Sequence, residues 1–391
     1  MTRANNVSAQ IRFEPIEAVS PSLAETLRNC PLQAALSRIP SLRRFVLGNP
    51  KAWLGTAYHE VLKKLWSPVE ENLTDDELVE HLWSRAIETI RAQASGHPLD
   101  RRFSEPERWP GYFLARACVQ VRAQQALAEF PRARTGGGPG DSQTAGTMRE
   151  KNLSAMDGKL IGKPDVVLPG EIRDYKSGSI LEETADGSQI VKQAYVRQLQ
   201  LYGSLVHATS GQCPVKGKLL PMQGEAVEIE LAPNTCQAAA EEAVDMLNAF
   251  NERLACVSGP NDLATPSPHT CRWCQFKATC PAFWANVDDS WAGDLCSVAV
   301  RGHLASLPAR IHNGRACSLA VEVVNGTVPA GSLTIAPLDA TVHELDHLRL
   351  GDFVRILNLY KRSGAQLAPR AATFCLRECD CPSFVTLRER S

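Results

Sequence analysis

From about residue 20 to residue 129, apolar residues recur every three or four positions, the repeat of helices with one buried face. Ser20 or Ser22 can cap the first of these, with Pro21 in its opening turn and Leu23, Leu27 and Ala34 to Leu36 on its apolar face. Cys30-Pro31 interrupts that pattern, so a break or a second helix begins there. Further helices are predicted over 55–66 (GTAYHEVLKKLW), 75–95 and 110–129. RTGGGPGDSQTAGT, 134–147, is a flexible loop by composition. From 148 to 178 the pattern becomes that of strands. Helical spacing returns at 190–208, followed by a strand, GKLLPM, and a long helix from about 234 to 256. Beyond about 296, apolar and polar residues alternate between turn signals at NG (325–326), AGS, RLGD and RSGA, which predicts a small all-β domain.

Bulk properties narrow the choices modestly. A chain of 391 residues suggests two domains. Its 42 basic and 43 acidic residues leave a formal charge of −1, which neither supports nor excludes nucleic acid, because binding depends on a local basic face. No apolar stretch is long enough to span a membrane, and MTRANNVSAQIRFEP lacks the apolar core of a secretory signal, so a cytoplasmic protein is expected. The 13 cysteines are an odd number, and in a reducing compartment clustered cysteines point to metal rather than disulfides. Cys118, Cys213, Cys236 and Cys256 are scattered and read as buried small apolar residues.

In LIGKPDVVL-PG-EIRDYKSG, an antiparallel hairpin centred on Pro169-Gly170 sets Asp165 opposite Asp174. Like charges so placed repel unless something compensates, and a divalent cation is the natural compensation. Asp174 and Lys176, two apart on a strand, share a face, with Tyr175 on the other. The lysine can then steady a water or offset charge on a phosphate, the chemistry of phosphodiester hydrolysis. A solvated hairpin with a charged edge and no metal also fits these residues. The loop at 134–147 lacks the Gly-Lys-Ser/Thr ending of a phosphate-binding loop.

Pro164-Asp165 followed by Asp174-Tyr175-Lys176 resembles the PD-(D/E)XK nuclease signature, with aspartate as the second acid. The chain is most similar to the RecB-type branch, in which G-x-x-x-H precedes the acids and Q-x-x-x-Y follows. Here these are Gly55 to His59 and Gln198 to Tyr202, and the matching segments run from about 20 to 285. The resemblance implies an α/β restriction-endonuclease-like core with a helical N-terminal part. It also implies Asp165, Asp174, Lys176, Gln198 and Tyr202 as catalytic residues. His59, Asp165, Asp174 and the Tyr175 carbonyl would hold Mg2+ or Mn2+. By spacing alone, Gln198 and Tyr202 only share a helix face, and a lone His59 on an amphipathic helix is more often a packing or surface histidine.

Cys271-x-x-Cys274-x5-Cys280-Pro281 clusters three thiols, which zinc or an iron–sulphur cluster would accept. The fourth ligand is missing locally. The iron–sulphur, AddB-like members of the RecB-type family supply it from upstream, in a helix ending with Cys-Pro. The resemblance therefore implies a [4Fe–4S] cluster on Cys30, Cys271, Cys274 and Cys280, acting as a staple across a long loop. Cys375-x3-Cys379-x-Cys381 reads as part of a strand with its thiols on one side, explained as well by packing as by metal.

The stretch 296–391 offers five candidate strands, SVAVRGHL, CSLAVEVV, GSLTIAPL, DFVRILNLYKR and AATFCLRE, and resembles a small β-barrel of the OB type. Tyr360, Lys361 and Arg362 at a hairpin, with Arg355, are candidates for binding a single strand. A barrel used for protein contacts is the other reading. The expected domains are a nuclease domain over 1–290 and the barrel over 296–391.

The expected function is a metal-dependent DNA nuclease, a single-strand or end-directed exonuclease in repair, recombination or antiphage defence. Without its own phosphate-binding loop it would work with a helicase or defence-system partner. The competing class is a non-catalytic nucleic-acid- or partner-binding subunit that retains the fold. A third, a zinc-stabilised structural protein, would contain zinc and no iron.

Overall fold

A Ser-Pro start and a Cys-Pro break shape the first two helices of the computed structural model. It describes residues 12–67, 73–131, 147–184, 186–295, 297–311, 316–339, 345–362 and 366–382. Helix α1 (Pro21–Asn29) begins where Ser20 Oγ accepts the Leu23 N–H at 3.3 Å. Helix α2 (Pro31–Ser37) restarts at Pro31, with Cys30 extended before it. The predicted loop at 134–147 lies outside the described residues except for Thr147, as does most of the RSGA turn.

The described chain falls into two units. The first comprises Ile16–Glu25 and Gly48–Ala249. Its helices α3 (Pro50–Lys64), α4 (Asp75–Ser95) and α5 (Tyr112–Glu129) bury a core containing Tyr58, Val61, Leu65, Trp83, Trp109 and Val119. Thr74 and Glu77 cap α4 reciprocally, the Thr74 N–H donating to Glu77 Oε2 at 2.8 Å. Strands β1 (Met148–Arg149), β2 (Leu153–Ala155), β3 (Leu160–Gly162), β4 (Val166–Leu168) and β5 (Glu171–Lys176) follow. A small hairpin, β6 (Leu181–Glu183) and β7 (Gln189–Val191), precedes helix α6 (Gln193–Ser210), strands β8 (Lys216–Pro221) and β9 (Val227–Glu230), and helix α7 (Pro233–Leu254). The main sheet runs β1-β4-β5-β8-β9, antiparallel except for the parallel β5–β8 pair.

In the β4–β5 hairpin, Leu168 pairs with Glu171 and Val166 with Arg173, so Pro169 and Gly170 alone form the turn. Gly170 has φ +77°, as the second central position of a Pro-Gly turn requires. This is the register expected from sequence, and it brings Asp165 and Asp174 to the same end of the pair. Glycines let α6 lie close to its neighbours. A Cβ at Gly217 on β8 would come within 2.8 Å of Leu199, and one at Gly203 within 2.6 Å of Cys236 Sγ on α7.

The second unit contains Thr26–Leu47 and the described residues from Phe250 onward, together with the described residues before Ile16. Short helices α8 (Pro268–Arg272) and α9 (Pro281–Asn286) carry the cysteine motif. Strands β10 (Val298–Leu304), β11 (Ala309–Ile311), β12 (Ala316–Gly326), β13 (Gly331–Asp339), β14 (Phe353–Lys361) and β15 (Gln366–Arg377) follow. Five of them close into a barrel in the order β10-β12-β13-β15-β14, β14 returning to β10. The β13–β15 pair is parallel and the other pairs are antiparallel. Val300, Leu319, Val321, Ile335, Val354, Ile356 and Leu359 fill its interior.

Three expectations change. Of the four scattered cysteines only Cys236 is buried, and Cys256 is exposed. Arg355 is buried, donates to the Ala278 carbonyl at 2.9 Å and pairs with Glu378, so it braces the barrel and is not presented to a ligand. Strand β15 ends at Arg377, and Glu378–Asp380 form a 3-10 turn, so Cys379 and Cys381 do not continue the face of Cys375. The Arg377–Asp380 ion pair holds that turn off the sheet direction.

Candidate active site

The acids sit where the hairpin ends. Asp174 lies within β5, 3% exposed, and Asp165 immediately precedes β4. Asp165 Oδ2 accepts the Tyr175 N–H at 2.7 Å, which fixes the carboxylate across the ladder. His59, from α3, places Nδ1 3.9 Å from Asp165 Oδ1. The helix reaches this strand end because residue 55 is glycine. A Cβ there would come within 2.4 Å of Ser177 Oγ, just beyond β5.

Lys176 is clamped from two sides. Its ammonium pairs with Asp174 and donates to Gln198 Oε1 at 2.7 Å. Gln198 Nε2 in turn donates to the Tyr202 hydroxyl at 3.2 Å and lies 3.4 Å from Asp174 Oδ1. Gln198 and Tyr202 thus meet as neighbours one turn apart on α6. Asp165, Asp174, Lys176, Gln198, Tyr202 and His59 are therefore gathered in one place, with Tyr175 packing its ring edge-on against Tyr58 behind them.

Burial dominates the electrostatics. It pushes the Asp165 carboxyl up to about 8, reinforced by Asp174, while Asp174 itself is raised by burial. His59 is lowered by burial, so its imidazole is neutral at pH 7 and offers a lone pair. A desolvated pair of carboxylates beside a neutral imidazole suits a hard cation, which would relieve the repulsion that now holds a proton on the pair. Among the described residues no three His, Cys, Asp or Glu side chains are grouped closely enough to hold an ion as they stand.

Two neighbours were not legible as site residues. Glu150 has φ +48°, lines the same cavity as His59 and Asp165, and pairs with Lys163 at 2.5 Å. Tyr195 on α6 places its ring under Lys176, the ammonium 4.5 Å from the centroid. Helical spacing was the available signal for Tyr195, which precedes Gln198 by three. The half-buried acid at 150 carried none.

A family model described as the PD-(D/E)XK nuclease superfamily matches residues 18–281, well over half of the chain. The chain belongs to that superfamily. This nuclease is a phosphodiester hydrolase by family. It is also similar to a crystal structure described as a putative exonuclease from Eubacterium rectale. That likeness is 14% identical with a TM-score of 0.35, covering 60% of this chain and 82% of the other. No curated protein matches the nuclease. Among its described residues, no helix is long and apolar enough to cross a membrane.

In the other unit, Cys30, Cys271, Cys274 and Cys280 line one cavity with Leu32, Leu36, Lys277 and Phe283. Burial raises the Cys271 thiol and pushes Cys274 and Cys280 up to about 12. Each of these three feels the Cys30 thiol. Cys271 is buried and Cys30, Cys274 and Cys280 are half-buried, and four thiols around a common space have the donor chemistry of a thiolate-bound metal group. On the barrel, Tyr360, Lys361 and Arg362 are exposed, and the Arg370 guanidinium stands 5.7 Å from the Tyr360 ring.

Proposed function

We propose that this nuclease is a metal-dependent DNA exonuclease directed at single strands or ends. The observation that carries the reading is the desolvated Asp165–Asp174 pair with Lys176 held between Asp174 and Gln198. His59, Asp165, Asp174 and the Tyr175 carbonyl would hold Mg2+ or Mn2+, the ions used in this superfamily, which supplies Lewis acidity toward the phosphate. Lys176 donates toward the attacking water or a non-bridging phosphate oxygen and offsets the charge that builds up there. Gln198 accepts from the ammonium and so aims it. Tyr202 fixes the Gln198 amide, and the Tyr175 N–H orients Asp165.

The cysteines support a [4Fe–4S] cluster on Cys30, Cys271, Cys274 and Cys280. Four cysteine thiols lining one cavity support that reading, because such a cluster takes four thiolate ligands. Its role is a staple between residue 30 and the 271–280 segment, with no redox step in the reaction. The barrel's strand order, with the third and fifth strands parallel, supports the OB assignment. Tyr360, Lys361 and Arg362 are its candidates for stacking and backbone contacts with a single strand. The cysteines among the described residues are free thiols, which suits a reducing, cytoplasmic location. A helicase partner in repair, recombination or antiphage defence fits an exonuclease that carries no phosphate-binding loop among its motifs.

The test is cleavage of end-labelled single- and double-stranded DNA by anaerobically purified protein with magnesium or manganese. Cutting should depend on the metal and favour single strands or ends, and Lys176→Ala should lower the rate about 10³-fold. Metal-independent cutting, or none by folded wild-type protein, would overturn the reading in favour of a binding subunit.

A further inference from the structure

The reactive lysine of this site has a third support besides its carboxylate and amide partners. Helix α6 carries Tyr195, Gln198 and Tyr202 at positions three and four apart on one face, which sets Tyr195 and Gln198 against Lys176 and Tyr202 against the Gln198 amide. Lys176 Nζ lies 4.5 Å from the centroid of the Tyr195 ring, within the range of a cation–π contact. The lysine side chain is only 12% exposed, so each direction around the ammonium that a partner occupies matters. The same ring is approached at 5.7 Å by Lys192, whose ammonium donates to the Ser179 carbonyl at 2.7 Å. Tyr195 is thereby tied to the turn that follows the catalytic strand.

We infer that Tyr195 is a positioning residue, its ring the seat that holds the Lys176 ammonium in line with the reacting phosphate. The inference rests on the proposed role of Lys176. Its consequence appears once Asp174 is engaged by a divalent cation. The carboxylate is then shared, and the lysine loses part of its strongest partner. Gln198 and the Tyr195 ring are what remain to keep it pointing into the site. A ring face suits that task because it attracts a cation without competing for the proton Lys176 must present. The Tyr195 hydroxyl is not required, since the contact is with the ring.

The experiment combines rate measurements with a direct view of the lysine. Under saturating magnesium, Tyr195→Leu should lower kcat about tenfold or more with KM for DNA nearly unchanged, while Tyr195→Phe and Tyr195→Trp retain most of the rate. In a Lys176→Ala background, measured in single turnover, Tyr195→Leu should add less than about twofold, because the group it positions is gone. Thermal melts establish that each variant is folded. A Tyr195→Leu enzyme as fast as wild type overturns the inference, as does a Tyr195→Phe enzyme as slow as Tyr195→Leu. A full effect in the Lys176→Ala background does so too. Lysine-selective NMR reads the contact without catalysis. Wild type should show one lysine Cε–H signal displaced upfield by the ring and lost in both Lys176→Ala and Tyr195→Leu. Absence of that signal overturns the inference whether or not DNA is cut. Failure of wild type to cut any DNA, with the displaced signal present, would instead overturn the nuclease reading and leave the contact established.

Discussion

Burial and the neighbouring Asp174 push the Asp165 carboxyl up to about 8, whereas an unfolded chain ionises it near the ordinary aspartate value. A group raised in this way favours the folded state most at low pH, where it is protonated in both states. That contribution is lost as pH climbs from about 4 toward 8. The metal-free protein should therefore lose stability over this window on account of Asp165, and Mg2+ or Mn2+ should restore it. Melting curves at pH 5 and pH 8 check this. Asp165→Asn should flatten the decline and melt several degrees above wild type at pH 8 without metal, yet show no stabilisation by metal and no cleavage. A wild-type Tm independent of pH and metal would contradict the account. At this scale the acids and Lys176 were legible because their spacing carries the chemistry, whereas His59 was reached only through the family resemblance. Glu150 was not, because its approach depends on a left-handed backbone turn that no sequence period announces.

Gly55 shows how an element is placed by the absence of a side chain. It lets α3 approach the end of β5 closely enough for His59 to stand beside Asp165, since any Cβ would meet Ser177. Gly55→Ala should displace the helix by a few tenths of an ångström or more. The expected result is about a tenfold or greater loss of cleavage rate, with higher metal concentrations needed for half-maximal activity, while the Tm falls only modestly. Metal titrations of the cleavage rate with both proteins decide it. The long amphipathic helices and the barrel strands were readable because each carries several turns or alternations of pattern. The β6–β7 hairpin was not, because three-residue, solvent-facing strands hold too few buried positions to show a period. Strand β9 escaped for the same reason, being four residues long and half exposed.

For the molecule as a whole, the arrangement of units goes beyond what a linear reading conveys. Thr26–Leu47, which opens the helical region, belongs with the chain beyond Phe250 and so with Cys271, Cys274, Cys280 and the barrel. Pattern reading follows the chain in order and sees no such return, whereas the pairing of a lone Cys-Pro with a distant cysteine motif hinted at it. Replacing Cys280 with Ser should remove visible iron–sulphur absorbance from anaerobic protein and lower its iron from about four per chain. It should also make the Thr26–Leu47 and 250–295 segments the first to yield to limited proteolysis. Stoichiometric zinc with no iron in the wild type would refute the cluster and leave the staple.

The turn at Pro169-Gly170 deserves a last inference, because it acts as a length gauge. Surface loops ordinarily accept insertions. This one sets two carboxylates against each other from either side of a two-residue connection, with the pleat reversing at every position. One added residue, if β4 kept its place, would bring the neighbour of Asp174 to the site and turn the acid away, though nothing in the core were touched. Two added residues could loop out and leave the pairing intact. Tolerance here should therefore depend on whether an insertion is odd or even as well as on how long it is.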